Sequence, residues 1–327
     1  DTVARLGGDE FTILLEDIPH VSEAERVAHR VLERLQTPFS FEGRDLHVGS
    51  SIGIAFGMLG EVQPSDLLRY ADVAMYRAKS QGKGRSVVFD HSMQAAWVAR
   101  ASLESEFSAA LEQGQLRLVY QPIVDLASGA IVGAEALARW QHPTRGLVLP
   151  MDFLPLAEDT GLILPMGEWV LDEACRQAAL WQRTLSDGPP PIVSVNLSGR
   201  QFQHPHLVKQ VERALAASGL NPACLHLEVI EGVLIEDVRL ALTKLEALRV
   251  LGVQVTIDDF GTGQASLTSL RRMPVRSLKL DPSFLGPLDS AAVQVVRAVT
   301  GLAHTLGLEV SAEGIETDEQ LSRLREA

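Results

Sequence analysis

Beyond residue 115 the chain alternates short apolar runs with longer stretches whose apolar residues recur every three or four positions. The runs LRLVYQPIV, AIVGAEALARW, PIVSVNLS, LHLEVIE, QVTIDDF, SLKLD and EVSAEGI read as strands. Between them the helical period predicts helices over 151–185, 204–218, 236–251 and 290–306, a short helix ahead of SLKLD, and a final helix. Strands alternating with helices imply a mostly parallel sheet with helices packed on it.

The start of the chain reads as a smaller α/β unit. VARL, a Gly-Gly turn and FTILL predict a hairpin, followed by a helix from Ser22 to Leu35, strands near 38–56 and a helix over DLLRYADVAMYRAK. After VVFD the stretch HSMQAAWVARASLESEFSAALEQG predicts a connecting helix, and a boundary near 94 divides the chain into domains 1–94 and 95–327. The sequence opens inside a strand and closes inside a helix, so it is expected to be a fragment whose second domain lacks its last strand and helix.

Two architectures suit 95–327: an open, doubly wound sheet, or a (β/α)8 TIM-like barrel, which takes about 250 residues. The polar residues favour the barrel. Glu135 follows AIVGA, Asn196 follows IVSV, Glu228 sits within LHLEV, Asp258 and Asp259 follow VTI, Lys279 lies in SLKLD and Glu313 follows EVSA. Six successive strands thus carry a polar, mostly acidic group at or near their C-terminal ends, the face on which barrel enzymes assemble their sites.

Carboxylates with an asparagine carbonyl make a set of hard oxygen donors, suited to Mg²⁺ or Mn²⁺ rather than zinc. Asp258 and Asp259 are adjacent like charges at the end of an apolar run, a costly arrangement unless cations offset it. They could serve two ions about 3.5–4 Å apart, the arrangement that clamps the oxygens of a phosphoryl displacement. Lys279 is then placed to orient the attacking water or neutralise charge on phosphate. Taken singly, each residue would more readily be a helix cap or a solvated turn; six in company argue against that.

Composition narrows the field. With 46% hydrophobic residues the chain is an ordinary globular one, and no run approaches a membrane span. Neither a basic start nor an apolar signal segment is present, so a cytoplasmic location is expected for this stretch, with any membrane anchor in a part preceding it. A net charge of −13 argues against DNA or RNA as a partner. Cys175 and Cys224 lack metal-type spacing and read as packing residues.

The ordered motifs YQPIVDLASGAIVGAEALARW, the Asn of SVNLS, LEVIE, DDFGTG, SLKLD and AEGIE resemble those of the EAL phosphodiesterases, over roughly residues 95–327. The resemblance implies a barrel that hydrolyses cyclic di-GMP to the linear dinucleotide with two Mg²⁺ or Mn²⁺ ions. Metal ligands would be Glu135, Asn196, Glu228, Asp258, Asp259 and Glu313, with Lys279 and Glu313 handling the water. Gln121, Leu137 and Arg139 would line the substrate, Glu231 and Glu316 would anchor the DFGTG loop, and the domain would form a homodimer. Ile230 stands where the family often has threonine, and Gln264 and Ala265 depart from its usual loop; none of the three is a ligand.

LGGDEF, SIGIA and ADVAMYRAKSQGKGR resemble the C-terminal part of a GGDEF domain, the family that condenses GTP into cyclic di-GMP. Gly7, Gly8, Asp9, Glu10 and Phe11 would form its signature hairpin, with GTP as a further ligand. Two other functions stay open beside the phosphodiesterase: a diguanylate cyclase, and a receptor that binds cyclic di-GMP without turnover.

Overall fold

The computed structural model describes residues 1–41, 44–46, 48–58, 62–82, 84–185, 189–261, 270–285 and 290–326. Two compact units are present, Asp1–Ser105 and Glu106–Ala327, and the division falls inside the helix His91–Glu112.

In the first unit, β1 (Thr2–Gly7) and β2 (Glu10–Leu14) form an antiparallel hairpin in which Gly7 pairs with Glu10. The turn is therefore Gly8-Asp9, and Gly8 has φ +53 while Asp9 stays outside the positive region. Glycine takes this positive φ without the backbone strain that a side chain would bring. The helix Val21–Gln36 follows. A second hairpin pairs β3 (Phe39–Phe41) with β4 (Arg44–Leu46). Two short parallel strands, β5 (Ile52–Ile54) and β6 (Ser86–Val88), flank the helix Pro64–Ser80. Val73, Ala74 and Met93 form a buried cluster with Val87 and Phe89 against it.

The second unit is built on one curled sheet of β7 (Leu116–Val124), β8 (Ile131–His142), β9 (Gly146–Val148), β10 (Ile192–Leu197), β11 (Leu225–Ile230), β12 (Gln254–Phe260), β13 (Ser277–Leu280) and β14 (Glu309–Ala312). The order is β14-β13-β12-β11-β10-β8-β7, with β9 paired to β8, and every contact from β8 through β10 to β14 is parallel. All seven expected strands are present. Two features were not expected: β7 runs antiparallel to β8, and β9 adds a short antiparallel strand. Both follow from short connections, since a hairpin suffices to reverse a strand whereas a parallel return needs a crossover.

One predicted helix proves to be a pair, and two others are each preceded by a short helix. Gly161, at φ +80, ends Pro150–Thr160, and Ile163–Thr184 starts anew. The expected 204–218 helix is Leu207–Ser218, preceded by the short helix Gly199–Gln203, which a Ser198/Gln201 capping box opens. The 236–251 stretch divides at Asp237, whose side chain accepts from the backbone of Arg239 and Leu240 and so caps Val238–Val250. A period of 3.6 runs through such breaks because both pieces bury the same face.

The parallel strands alternate. Val193, Val195, Leu197, Leu225, Leu227, Val229, Val255, Ile257, Leu278 and Leu280 are all buried. The interleaved Ser194, Asn196, Glu228, Thr256, Asp258, Ser277 and Lys279 share the opposite, inner face, as the two-residue period requires. At the entry to the unit, Phe107, Trp140 and Phe153 are fully buried and pack as an aromatic triplet with centroids 5.2–6.3 Å apart. Burying each ring contributes about 1.5–3 kcal/mol, which fixes the end of the entering helix against β8.

Candidate active site

The inner face of a parallel sheet can hold polar groups only if they satisfy one another. Lys279 does this for the acidic strands. Its Nζ lies 2.8 Å from Glu228, 3.0 Å from Glu135, 2.9 Å from Glu313 and 3.8 Å from Asp258. Both Lys279 and Glu228 are buried, at 6% and 4% exposure. Burial works against the lysine's charge, but Glu228 and Glu135 outweigh it and hold the ammonium protonated well above its ordinary range. Burial also pushes the Glu228 carboxyl up to about 6, against the pull of Lys279. Asp258 rises to about 6 for the same reason, with Asp259 and Glu313 adding to the rise.

Asn196 stands directly beside Glu228 in register, and its Nδ2 donates to Glu135 Oε1 at 2.7 Å. That bond uses the amide nitrogen, and the amide Oδ1, an acceptor, is the atom of the side chain able to ligate a cation.

Asp258 and Asp259 raise a geometric difficulty, because adjacent strand residues face opposite sides of a sheet. The chain resolves it with an irregularity: the register between β12 and β13 shifts between Ile257 and Phe260, and Asp259 sits at φ +51. A left-handed residue in a bulge re-aims its side chain, and here oxygens of Asp258, Asp259 and Glu313 come within 4.8 Å of one another. Burial, together with Asp281 and Glu313, raises the Asp259 carboxyl. A non-glycine residue held in this region stores strain, and such strain gathers at functional sites.

Glu135, Asn196, Glu228, Asp258, Asp259, Lys279 and Glu313 are therefore brought together. Gln121 lies opposite Glu135 across the β7–β8 pair, and Leu137 and Arg139 follow on the same face. Glu231, buried at the start of its helix, accepts a hydrogen bond from the Gly261 backbone at 2.9 Å. Gly261 has φ +102, and a Cβ there would meet the Phe284 ring at 2.3 Å, so the position admits only glycine. Glu316 lies in an exposed turn after β14. The stretch 262–269, which Glu316 was expected to anchor and which includes Gln264 and Ala265, lies outside the described residues. In the other unit, Asp9, Glu10 and Phe11 are not buried, and Arg5 donates to the Gly8 carbonyl while its guanidinium lies 5.8 Å from the Phe11 ring.

Sequence reasoning passed over the hydroxyls below the carboxylates. Thr256 and Ser277 share a buried hydrogen bond of 2.7 Å, two residues before Asp258 and Lys279. Ser194 lies two residues before Asn196 on the same inner face and is 2% exposed. The two-residue period counted back from each ligand would have found all three.

The fold and the site define a class: a barrel-type α/β domain with an acidic, all-oxygen site, fit for a metal ion, on the inner face of its parallel strands. Residues 104–327 match the EAL domain model, and the chain belongs to the EAL domain family. Residues 1–85 match the model of the diguanylate cyclase GGDEF domain. The chain is 43% identical over 323 residues to the bifunctional diguanylate cyclase/cyclic di-GMP phosphodiesterase MucR of Pseudomonas aeruginosa, covering 98% of this chain and 47% of that protein. It is 38% identical over 328 residues to the cyclic di-GMP phosphodiesterase NbdA of the same organism, covering 100% and 42% respectively. The chain thus spans less than half the length of these two relatives. The solved structure of the PaMucR phosphodiesterase in complex with c-di-GMP superposes with a TM-score of 0.66 at 46% identity, over 69% of this chain and 91% of that one. The expected TIM-like barrel class holds. Among the described residues no helix is long and apolar enough to cross a membrane.

Proposed function

We propose that residues 95–327 form a phosphodiesterase that hydrolyses cyclic di-GMP to its linear dinucleotide, and that residues 1–94 are the C-terminal part of a GGDEF domain. The observation that carries this reading is the cluster itself: four carboxylates converge on a single lysine, with Asp259 beside two of them and the Asn196 amide bonded to a third, leaving the acidic charge undercompensated. An acidic, all-oxygen donor set with raised carboxyls suits hard divalent cations. Glu135, Asn196, Glu228, Asp258, Asp259 and Glu313 would hold two Mg²⁺ or Mn²⁺ ions. When bound, these would stabilise negative charge on the phosphate and acidify a water.

The chain's own residues do the rest. Lys279 keeps its proton and presents a fixed positive charge to the attacking water and the phosphate. Glu313 is the most exposed of the lysine's carboxylate partners, at 37%, and is the group able to take the proton released by that water. Gln121, Leu137 and Arg139, side by side along β7 and β8, hold the nucleotide over the carboxylates. Glu231, bonded to Gly261, fixes the chain directly after Asp259, and Glu316 is a second anchor of the DFGTG loop. The domain works as a homodimer in a cytoplasmic protein, with any membrane anchor outside this chain.

The test is chromatography of nucleotides after incubating the chain with cyclic di-GMP and Mg²⁺, with and without GTP. Linear dinucleotide is the expected product, and an unchanged substrate peak from folded protein overturns the reading. The Gly8-Asp9 hairpin supports a second activity, diguanylate cyclase, which predicts GTP consumption that Asp9→Ala removes.

A further inference from the structure

Two buried hydroxyls beneath the carboxylates have no task in the reading above. Thr256 and Ser277, 3% and 8% exposed, are register partners across β12 and β13, and their hydroxyls are hydrogen-bonded at 2.7 Å. Each stands two residues before a member of the site, Thr256 before Asp258 and Ser277 before Lys279, so all four share the inner face. The bond lies at a particular seam. The junctions of β8 with β10, β10 with β11, β11 with β12 and β13 with β14 each run in unbroken register, whereas between β12 and β13 the register shifts after two consecutive pairs, Thr256 with Ser277 and Ile257 with Leu278. On one side of this seam stand Glu135, Asn196, Glu228, Asp258 and Asp259. On the other stand Lys279 and Glu313, carried by β13 and by the turn after β14, which is tied to β13 through four register pairs.

The apolar pattern alone does not set the register here. Leu278 and Leu280 are buried on the outer face, which excludes a slip by one residue, because that would turn both inward. A slip by two keeps every side chain on its own face, yet it moves Lys279 by about 6.6 Å along the strand. It would also set Thr256 opposite Val275 or Lys279 instead of Ser277, leaving the Thr256–Ser277 bond unmade in a layer where an unpaired hydroxyl is costly. We propose that Thr256 and Ser277 are positioning residues: their bond selects the register in which Lys279 meets Asp258 at 3.8 Å and Glu313 comes together with Asp258 and Asp259. Fixing registry is the best-attested use of a buried polar contact. The proposal rests on the metal reading of the site given above.

The test uses the 327-residue chain, stripped of metal and titrated with Mn²⁺ while free ion is followed by electron paramagnetic resonance, beside urea unfolding of the metal-free chain. The variants are Thr256→Ser, Thr256→Val and the double variant Thr256→Val/Ser277→Ala. Thr256→Val leaves the Ser277 hydroxyl without its partner and is expected to lose stability, whereas the double variant, apolar on both sides, recovers most of it. Mn²⁺ affinity should not recover with it. It is expected to fall about tenfold or more in Thr256→Val, the lower end of what groups outside the ligand set contribute, and to stay low in the double variant. Thr256→Ser keeps the hydroxyl and should bind within a few-fold of wild type. Affinity restored together with stability in the double variant would overturn the proposal, since the hydroxyls would then serve each other and not the site. Equal losses in Thr256→Ser and Thr256→Val would overturn it as well, and both outcomes leave the metal site standing. Absence of Mn²⁺ binding in wild type would remove the metal reading and this proposal together.

Discussion

Lys279 and Glu228 meet at 2.8 Å on the inner face of the sheet, and the same ammonium serves Glu135 and Glu313. Removing one member of a buried ion pair costs about 3–5 kcal/mol, because the remaining charges lose their compensation. Lys279→Met is therefore expected to lower the unfolding free energy of the metal-free chain at neutral pH by an amount in that range, measured by urea titration. Hydrolysis should fall at least a hundredfold, on the order of what a preorganised electrostatic group contributes. A variant as stable as wild type would show that the lysine does not hold the carboxylates together.

A ligand that binds only the folded chain stabilises it by mass action, by about 2.7 kcal/mol at a hundred times its dissociation constant. Mn²⁺ or Mg²⁺ should accordingly raise the melting temperature by several degrees, and EDTA should reverse the rise. Asp258→Asn, which removes one of the three convergent carboxylates, should shrink the shift. Scanning fluorimetry that shows no shift in wild type would sink the metal site.

Cys175 gives a pH dependence whose sign can be stated. Burial pushes its thiol up to about 12, from an ordinary value near 9. The unfolded thiol ionises first as pH rises, so the stability that Cys175 contributes is complete below about pH 8.5 and is lost as pH climbs toward the folded value. The unfolding free-energy gap between wild type and Cys175→Ala should shrink between about pH 9 and 11. Iodoacetamide at pH 8 should leave Cys175 unmodified in native protein and alkylate it in urea.

Strand identity and the convergence of acidic strand ends were legible because both follow from local patterns: apolar runs, and single polar residues at their ends. The helix breaks at Gly161 and Asp237 were not, since the apolar stripe continues across them. The reversal of β7 was not legible either, because LRLVYQPIV reads the same in both directions of pairing. In the site, the sequence places Asp258 and Asp259 side by side but cannot say that both can face one ion. That depends on a register shift and a left-handed residue, which arise from how β12 meets β13. Ser194 was overlooked because a serine inside PIVSVNLS is an unremarkable strand residue until its neighbours across the sheet are known.

The left-handed conformation of Asp259 separates its backbone role from its chemical one. At φ +51 an asparagine is nearly as well tolerated as aspartate, whereas a β-branched residue is not. Asp259→Asn should keep wild-type stability within about 0.5 kcal/mol, the range usual for substitutions that break no specific feature. It should nevertheless lose Mn²⁺ affinity and hydrolysis, because an amide supplies a weaker, uncharged donor. Asp259→Val should lose the same activity and a further 1–3 kcal/mol or so, the cost of forcing a branched side chain into this region. Urea titration of both variants alongside Mn²⁺ binding separates the two effects. If Val proved as stable as Asn, the bulge would not be the device that turns Asp259 toward Asp258 and Glu313.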